Sequence, residues 1–351
     1  MADNTPETSQ IPENENEIEN NQEQEAPPAP NPPVNLDEAI AQFEQPANAG
    51  EDAHDDSGYS SDTYSVLTES VRSSIYDHRY EYGRRFHAYK QGKYFMPNDE
   101  PEQERMDMQH RAMYLALGSR LSFAPVNSPQ RALDLGCGTG IWAIEFADEN
   151  PQAEVYGVDL SPIQPGWVPP NVKFEIDDVE DTWTWPQDHF DLIFSRLMIS
   201  GSIQNLRNYI EQIYRHTAPG GYFESHEIKI EAHNDLKPVP EECPVNLWAK
   251  YMREGISKMN RNLAPDLDAI ATTMREVGFV DVVVKSFQSP LGLWPEDKEL
   301  RHAGAVQLVS LLEGLSSISL ALFRGCLGWT DVEVEIFLAG YRPPSLSGIS
   351  N

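Results

Sequence analysis

Positive charge is missing from the first fifth of this 351-residue chain. Between Met1 and Ser70 there are 17 Asp or Glu, eight Pro and no Lys or Arg. So polar a segment cannot bury enough apolar surface to offset its ordering entropy, and residues 1–70 read as a disordered acidic tail. Within it, Asp55-Asp-Ser-Gly-Tyr-Ser-Ser-Asp-Thr-Tyr-Ser65 sets hydroxyls beside carboxylates. That run is either a phosphorylated segment or a solvated linker. The tail carries 17 of the 30 net negative charges, and no basic stripe balances them elsewhere. Direct binding to nucleic acid is therefore not expected. Cysteine is scarce as well. Cys137, Cys243 and Cys326 lie far apart with no paired spacing. This excludes a disulfide framework and a cysteine-built zinc site, and it suits the reducing cytoplasm or nucleus. No run reaches the roughly 18 apolar residues of a membrane span, and no N-terminal stretch resembles a signal peptide. Lysine is absent between Lys93 and Lys173, which rules out a phosphate-binding Gly-Lys-Ser/Thr loop in that interval.

What that lysine-free interval does contain is Arg131-Ala-Leu-Asp-Leu-Gly-Cys-Gly-Thr-Gly140, followed by Ile141-Trp-Ala-Ile-Glu-Phe-Ala147. The pattern predicts a strand, a tight turn and a helix start, with Gly136, Gly138 and Gly140 letting the backbone pass close to a ligand. A dinucleotide fingerprint needs its third glycine at 141, where Ile stands. An acid just before the glycines, Asp134, together with the lack of either phosphate signature, favours a ligand with an adenosine and no phosphates. That description points to S-adenosylmethionine. Asp159, at the end of Ala153-Glu-Val-Tyr-Gly-Val-Asp159, falls 19 residues after Gly140. A nucleotide-binding α/β unit places the carboxylate that grips the ribose hydroxyls at this distance. The competing role for Asp159 is a cap on the turn into Ser161-Pro162.

Further strands are predicted at Val172–Ile176, Phe190–Phe194 and Tyr222–Ile230, with a helix over Ile203–Ala218 closed by Pro219-Gly-Gly221. After Gly278 a sixth strand is expected at Val280–Phe287, preceded by a helix over Asp266–Val277. Strands alternating with helices argue an α/β fold with a doubly wound, mostly parallel sheet, whose ligand sits at the carboxyl ends of the strands. The candidate residues converge there. In the acidic loop Asp177–Asp181, a carboxylate such as Asp178 either takes an adenine amino group or is merely solvated. Arg196 pairs either with a ligand carboxylate or with that acidic loop. His226 and Glu227 are either a general base pair or polar residues ending a strand. The organisation that follows is a tail (1–70), a helical cap segment (71–125), a ligand-binding core (126–290) and a C-terminal helical segment (291–351). An insertion near 231–263 interrupts the core and holds a helix around Val245–Asn260. In the cap segment a helix is expected from Glu100 to Leu121, behind an Asn98 or Asp99 N-cap. Ser74–Tyr89 alternates aromatics and histidines with arginines, as a segment that packs over something would.

Several stretches together resemble the fungal LaeA-like methyltransferases. They are Tyr80-Glu-Tyr-Gly-Arg-Arg-Phe-His-Ala-Tyr89, Tyr94-Phe-Met-Pro-Asn-Asp-Glu100, Leu133-Asp-Leu-Gly-Cys-Gly-Thr-Gly-Ile-Trp-Ala143, Asp159-Leu-Ser-Pro-Ile-Gln-Pro-Gly-Trp-Val-Pro-Pro-Asn171, Gly201-Ser-Ile203 and Leu291-Gly-Leu-Trp-Pro295. The resemblance implies a Rossmann-like class I methyltransferase fold, S-adenosyl-L-methionine as cofactor, and a part in carrying out or regulating secondary metabolism. The chain departs from the family twice. Phe194-Ser195-Arg196 follows the fourth strand where the family often has a histidine. The chain ends in Tyr341-Arg-Pro-Pro-Ser-Leu-Ser-Gly-Ile-Ser-Asn351, a poor match to the family's final strand. The methyl acceptor, small molecule or protein, is not named by any residue. Three roles stay open: an enzyme in its own right, a regulatory subunit in a protein complex, and a scaffold with little catalytic output.

Overall fold

In a computed structural model the described residues are 78–81, 83–90, 92–233 and 238–340. The expectations for the acidic tail and for 341–351 lie outside them. The chain enters through a hairpin, β1 (His78–Glu81) antiparallel to β2 (Arg84–His87). The Arg84 guanidinium grips Asp99 with two hydrogen bonds of 2.5 and 2.6 Å. The Asp99 carboxylate also accepts the Glu102 N–H, and so caps α1 (Glu100–Ala116). The helix stops short of the expected Leu121 because Gly118 and Ser119 turn left-handed, at φ 71° and 57°.

Five parallel strands form the sheet: β3 (Arg131–Leu135), β4 (Glu154–Asp159), β5 (Val172–Ile176), β6 (Phe190–Arg196) and β7 (Thr217–His226). Their order across it is β5-β4-β3-β6-β7. Connections after β3 and β6 run through α2 (Ile141–Glu149) and α3 (Leu206–His216). Both sheet faces are covered, as the near-continuous apolar runs of buried parallel strands require. Leu133, Leu135, Phe190 and Ile193 pack with Tyr209, Ile210 and Ile213 of α3. On the opposite face Ala132, Val155, Leu192 and Phe194 meet Trp142 and Phe146 of α2, with Trp142 stacked on Phe194 at 3.9 Å.

A third cluster joins what the sequence separates. Trp248, Met252 and Ile256 of α4 (Pro244–Ser257) share a core with Leu315 and Leu322 of α6 (Lys298–Leu322) and Val334 of α7 (Asp331–Ala339). The expected insertion and the C-terminal segment thus form one helical layer. A single π turn, Phe323–Leu327, continues α6. Within Lys298–Leu327 an 18-residue stretch reaches a mean hydropathy of 1.6, so by length and composition alone this helix could cross a membrane. It is docked on protein instead: Ser310 donates to the Arg105 carbonyl of α1, and Leu322 lies against Gly255 of α4.

Two sequence-level boundaries need correction. β7 starts at Thr217, not Tyr222, because Pro219-Gly-Gly221 forms an irregularity inside the strand, where the partners of Phe190 and Leu192 jump from Thr217 to Tyr222. It stops at His226, not Ile230. The expected sixth strand is absent among the described residues. α5 (Leu267–Val277) is present, capped by the Asp266 side chain, but Val280–Phe287 pairs with none of the described strands. Val280 and Val283 are 82% and 72% exposed. Strand-prone residues form a strand only beside a partner, and none of the described residues supplies one to this segment or to the outer edge of β7.

Candidate active site

The turn after β3 is held from behind. Gly136 and Cys137 donate their N–H groups to the Val158 carbonyl of β4, and Gly138 donates to Asp159 Oδ2 at 2.9 Å. All three loop glycines have positive φ, but their surroundings differ. A Cβ on Gly136 would lie 2.1 Å from Met198 Sδ, and one on Gly140 would lie 2.3 Å from the Phe174 ring. The Phe174 ring bars a side chain at Gly140, while at Gly136 the flexible end of Met198 would have to move. At Gly138 a Cβ would meet only Met106 Sδ, at an ordinary contact distance of 3.5 Å. The other Asp159 oxygen accepts the Ser161 N–H at 2.9 Å. Gln164 then donates to the carbonyls of Gly138 and Ser161, which locks the Ser161–Asn171 loop onto the glycine turn. The expected acid therefore caps the turn into Ser161 and holds the glycine loop.

Strand register assembles the rest. Asp134 pairs with Phe194 between β3 and β6; Phe194 pairs with Glu224, and Arg196 with His226, between β6 and β7. Residues two apart on a strand share a face, so Asp134, Phe194, Arg196, Glu224 and His226 line one side of the sheet at its carboxyl edge. Arg196 lies over the Phe194 ring at 5.3 Å, and its Nη1 donates to His110 Nδ1 at 2.8 Å. That bond puts the His110 proton on Nε2, which donates to Glu145 Oε2 at 2.9 Å. Arg196 Nε and Nη2 and Asp134 Oδ2 are buried without a hydrogen-bond partner. Burial pushes the Asp134 carboxyl up to about 7 and the Arg196 guanidinium down to about 10. Two groups of opposite sign are thus held dry and incompletely paired on one face of the sheet.

The acidic loop is not paired with Arg196. Asp178 instead lies 3.4 and 3.2 Å from Lys90 and Lys93, and it accepts the Glu180 N–H. These bonds outweigh burial and hold the Asp178 carboxyl below its ordinary range. The two lysines tie the segment ahead of α1 across the end of β5, a link invisible in the sequence. Glu227 is also fully engaged: it accepts from the Ile199 and Ser200 N–H groups and from the Ser200 and Ser225 hydroxyls. It clamps the loop after β6. Glu224, not expected from the sequence to matter, accepts from His226 Nε2 at 2.6 Å. An acid two residues before a histidine at a strand end is the signal that could have found it.

Every candidate named from the sequence except Gly140 lines one cavity of about 2630 Å³. The pieces fit S-adenosylmethionine: an uncrowded Gly138, the Asp159 carboxylate, and orphaned charges for an amino acid end. No group of three or more His, Cys, Asp or Glu suited to a metal occurs among the described residues. A parallel sheet with this glycine turn and this charge pair is the fold and site of an S-adenosylmethionine-dependent methyltransferase. Residues 106–283 match the family model described as methyltransferase domain. The chain is 37% identical over 290 residues to methyltransferase pytC of Aspergillus terreus, covering 81% of this chain and 87% of that protein. It is 35% identical over 277 residues to the secondary metabolism regulator laeA of Aspergillus fumigatus, covering 78% and 74%. To the protein-methionine methyltransferase laeA of Emericella nidulans it is 34% identical over 264 residues, covering 75% and 70%. The chain belongs to the LaeA-like methyltransferases.

Proposed function

We propose that this enzyme methylates an acceptor in secondary metabolism, working in the cytoplasm or nucleus, with the residues above in the following roles. The observation that carries the assignment is the pair of buried, unpartnered groups Asp134 Oδ2 and Arg196 Nε/Nη2 on one face of the sheet. Asp134 takes the cofactor's ammonium and Arg196 its carboxylate. Gly138 leaves room for the backbone to approach, Asp159 takes the ribose hydroxyls, and the Asp178 turn borders the base. Bound there, the cofactor supplies a methyl carbon already activated by its sulfonium. The protein's task is then to hold the acceptor in line with that carbon and to exclude water. Glu227 acts on the acceptor side only by fixing the loop over Ile199 and Ser200. The relatives' names support both a small-molecule pathway step and a protein acceptor within a regulatory assembly. Titration calorimetry with S-adenosylmethionine tests the site. Arg196→Gln should weaken binding at least about tenfold, the loss of one charge-assisted hydrogen bond, with the circular dichroism spectrum unchanged. An unchanged dissociation constant would overturn the assignment.

A further inference from the structure

Beside the proposed cofactor site, one side chain is built to accept a proton. The His226 ring sits at the C-terminal end of β7 between Phe123 and Phe194, with centroids 6.2 and 4.9 Å away. Its Nε2 lies 2.6 Å from Glu224 Oε1. Glu224 is itself immobilised: it accepts from the Ser122 hydroxyl at 2.6 Å and from the Phe123 and Ala124 N–H groups at 2.9 and 2.8 Å. Burial pushes the Glu224 carboxyl up, but the bonds from His226 and Ser122 prevail and hold it below its ordinary range. An ionised carboxylate can only accept, so Nε2 carries a proton, and in the neutral imidazole the Nδ1 lone pair is left free. Nδ1 is buried and has no partner in the protein. His226 shares its cavity with apolar side chains that include Met113, Leu117, Phe123, Ile230 and Phe287.

We propose that Glu224 and His226 form a catalytic dyad, and that the acceptor is a weakly acidic hydroxyl, phenolic or enolic, on an apolar scaffold. This rests on the cofactor reading above. The acceptor oxygen forms a bond to the donor methyl carbon while the S–CH3 bond breaks and its electron pair stays on sulfur. The hydroxyl proton passes to His226 Nδ1, and Glu224 stabilises the imidazolium through the Nε2–H it already holds. His226 is the catalytic residue and Glu224 a positioning residue. A thioether acceptor has no proton to lose and would need neither.

Two measurements on the full chain test the dyad. Long-range 1H–15N spectra of the 15N-labelled protein with S-adenosylhomocysteine should show His226 as the Nε2–H tautomer, the signal being assigned by its loss in His226→Gln. Glu224→Gln presents an amide donor to Nε2 and should shift the proton to Nδ1. A wild-type Nδ1–H tautomer overturns the proposal whatever the variants do. The second measurement offers two probes with tritiated S-adenosylmethionine: 1-naphthol and N-acetylmethionine methyl ester. Label should enter 1-naphthol at a rate that rises with pH; His226→Gln should lower kcat about 100-fold, and Glu224→Gln should lower it with KM little changed. Label entering only the thioether, or neither probe, overturns the acceptor class. Failure of the cofactor to bind in calorimetry would instead overturn the reading beneath it.

Discussion

Cofactor affinity should depend on pH through Asp134. Without a ligand, burial and the nearby Asp159 carboxylate raise this group to about 7, against the pull of Arg196. The charges around it come from β4 (Asp159), β6 (Arg196), α1 (His110) and α2 (Glu145). An ammonium placed against the free Oδ2 stabilises the carboxylate and draws its pKa down by roughly 1–3 units. Binding therefore expels a proton wherever free Asp134 is protonated. From about pH 7.5 to about pH 6 the protonated fraction climbs from roughly a quarter to nine tenths, which weakens affinity about four- to eightfold across that range of bound pKa. At the upper limit the cofactor's own amino group, near 8, is roughly a quarter uncharged, which trims the expected change only slightly. Stability of the unliganded protein runs the other way. A carboxyl whose pKa rises on folding favours the fold at low pH, and that contribution is lost as pH climbs from about 4 towards 7. Calorimetry in two buffers of different ionisation enthalpy counts the released proton directly. Asp134→Asn should bind more weakly, with no proton release in this range. Equal wild-type affinities at the two pH values, or the same slope in Asp134→Asn, would refute the reasoning.

Two further outcomes follow from the hydrogen bonds. Glu227→Ala strands the Ile199 and Ser200 N–H groups and should lower unfolding stability by about 2–4 kcal/mol in denaturant titration; a loss of activity with stability intact would mean the carboxylate acts in chemistry. Asp159→Ala should lose both at least tenfold in cofactor affinity and measurable stability, because the carboxylate bonds Gly138 and Ser161 as well as facing the ribose position. If the folded fraction of that variant binds like wild type, the residue only caps the turn.

The parts of the site legible in the sequence are those set by local spacing. The glycine turn and the acid 19 residues beyond it are consecutive stretches of one βαβ unit, so their geometry follows from their order. The central strands β3 and β6 are readable because strands buried on both faces are nearly apolar throughout, whereas the edge strands β5 and β7 are mixed in composition and burial. What the sequence hides depends on pairing at long range. Nothing in Val280–Phe287 reveals that no described neighbour waits for it. Lys90 and Lys93 meet Asp178 across more than 80 positions of chain. Asp159 illustrates a subtler limit: sequence poses a ribose ligand and a turn cap as rivals, and one carboxylate with several lone pairs has the geometry for both. His226 and Glu227 are adjacent in the sequence, yet β7 ends between them: His226 meets Glu224, while Glu227, just past the strand, meets the loop after β6.

The outer margin of β7, with which no described strand pairs, has a colloidal consequence. A row of free backbone donors and acceptors, flanked by exposed Tyr222, Val280, Val283 and Phe287, is a template on which molecules adhere to one another. What keeps copies apart is their shared sign: the chain carries a formal net charge of −30 at neutral pH, more than half of it in the first 70 residues. Near the isoelectric point of about 4.5 that mutual repulsion vanishes while the sticky margin remains. Acid and high salt are thus the conditions in which the molecule's solubility is least protected.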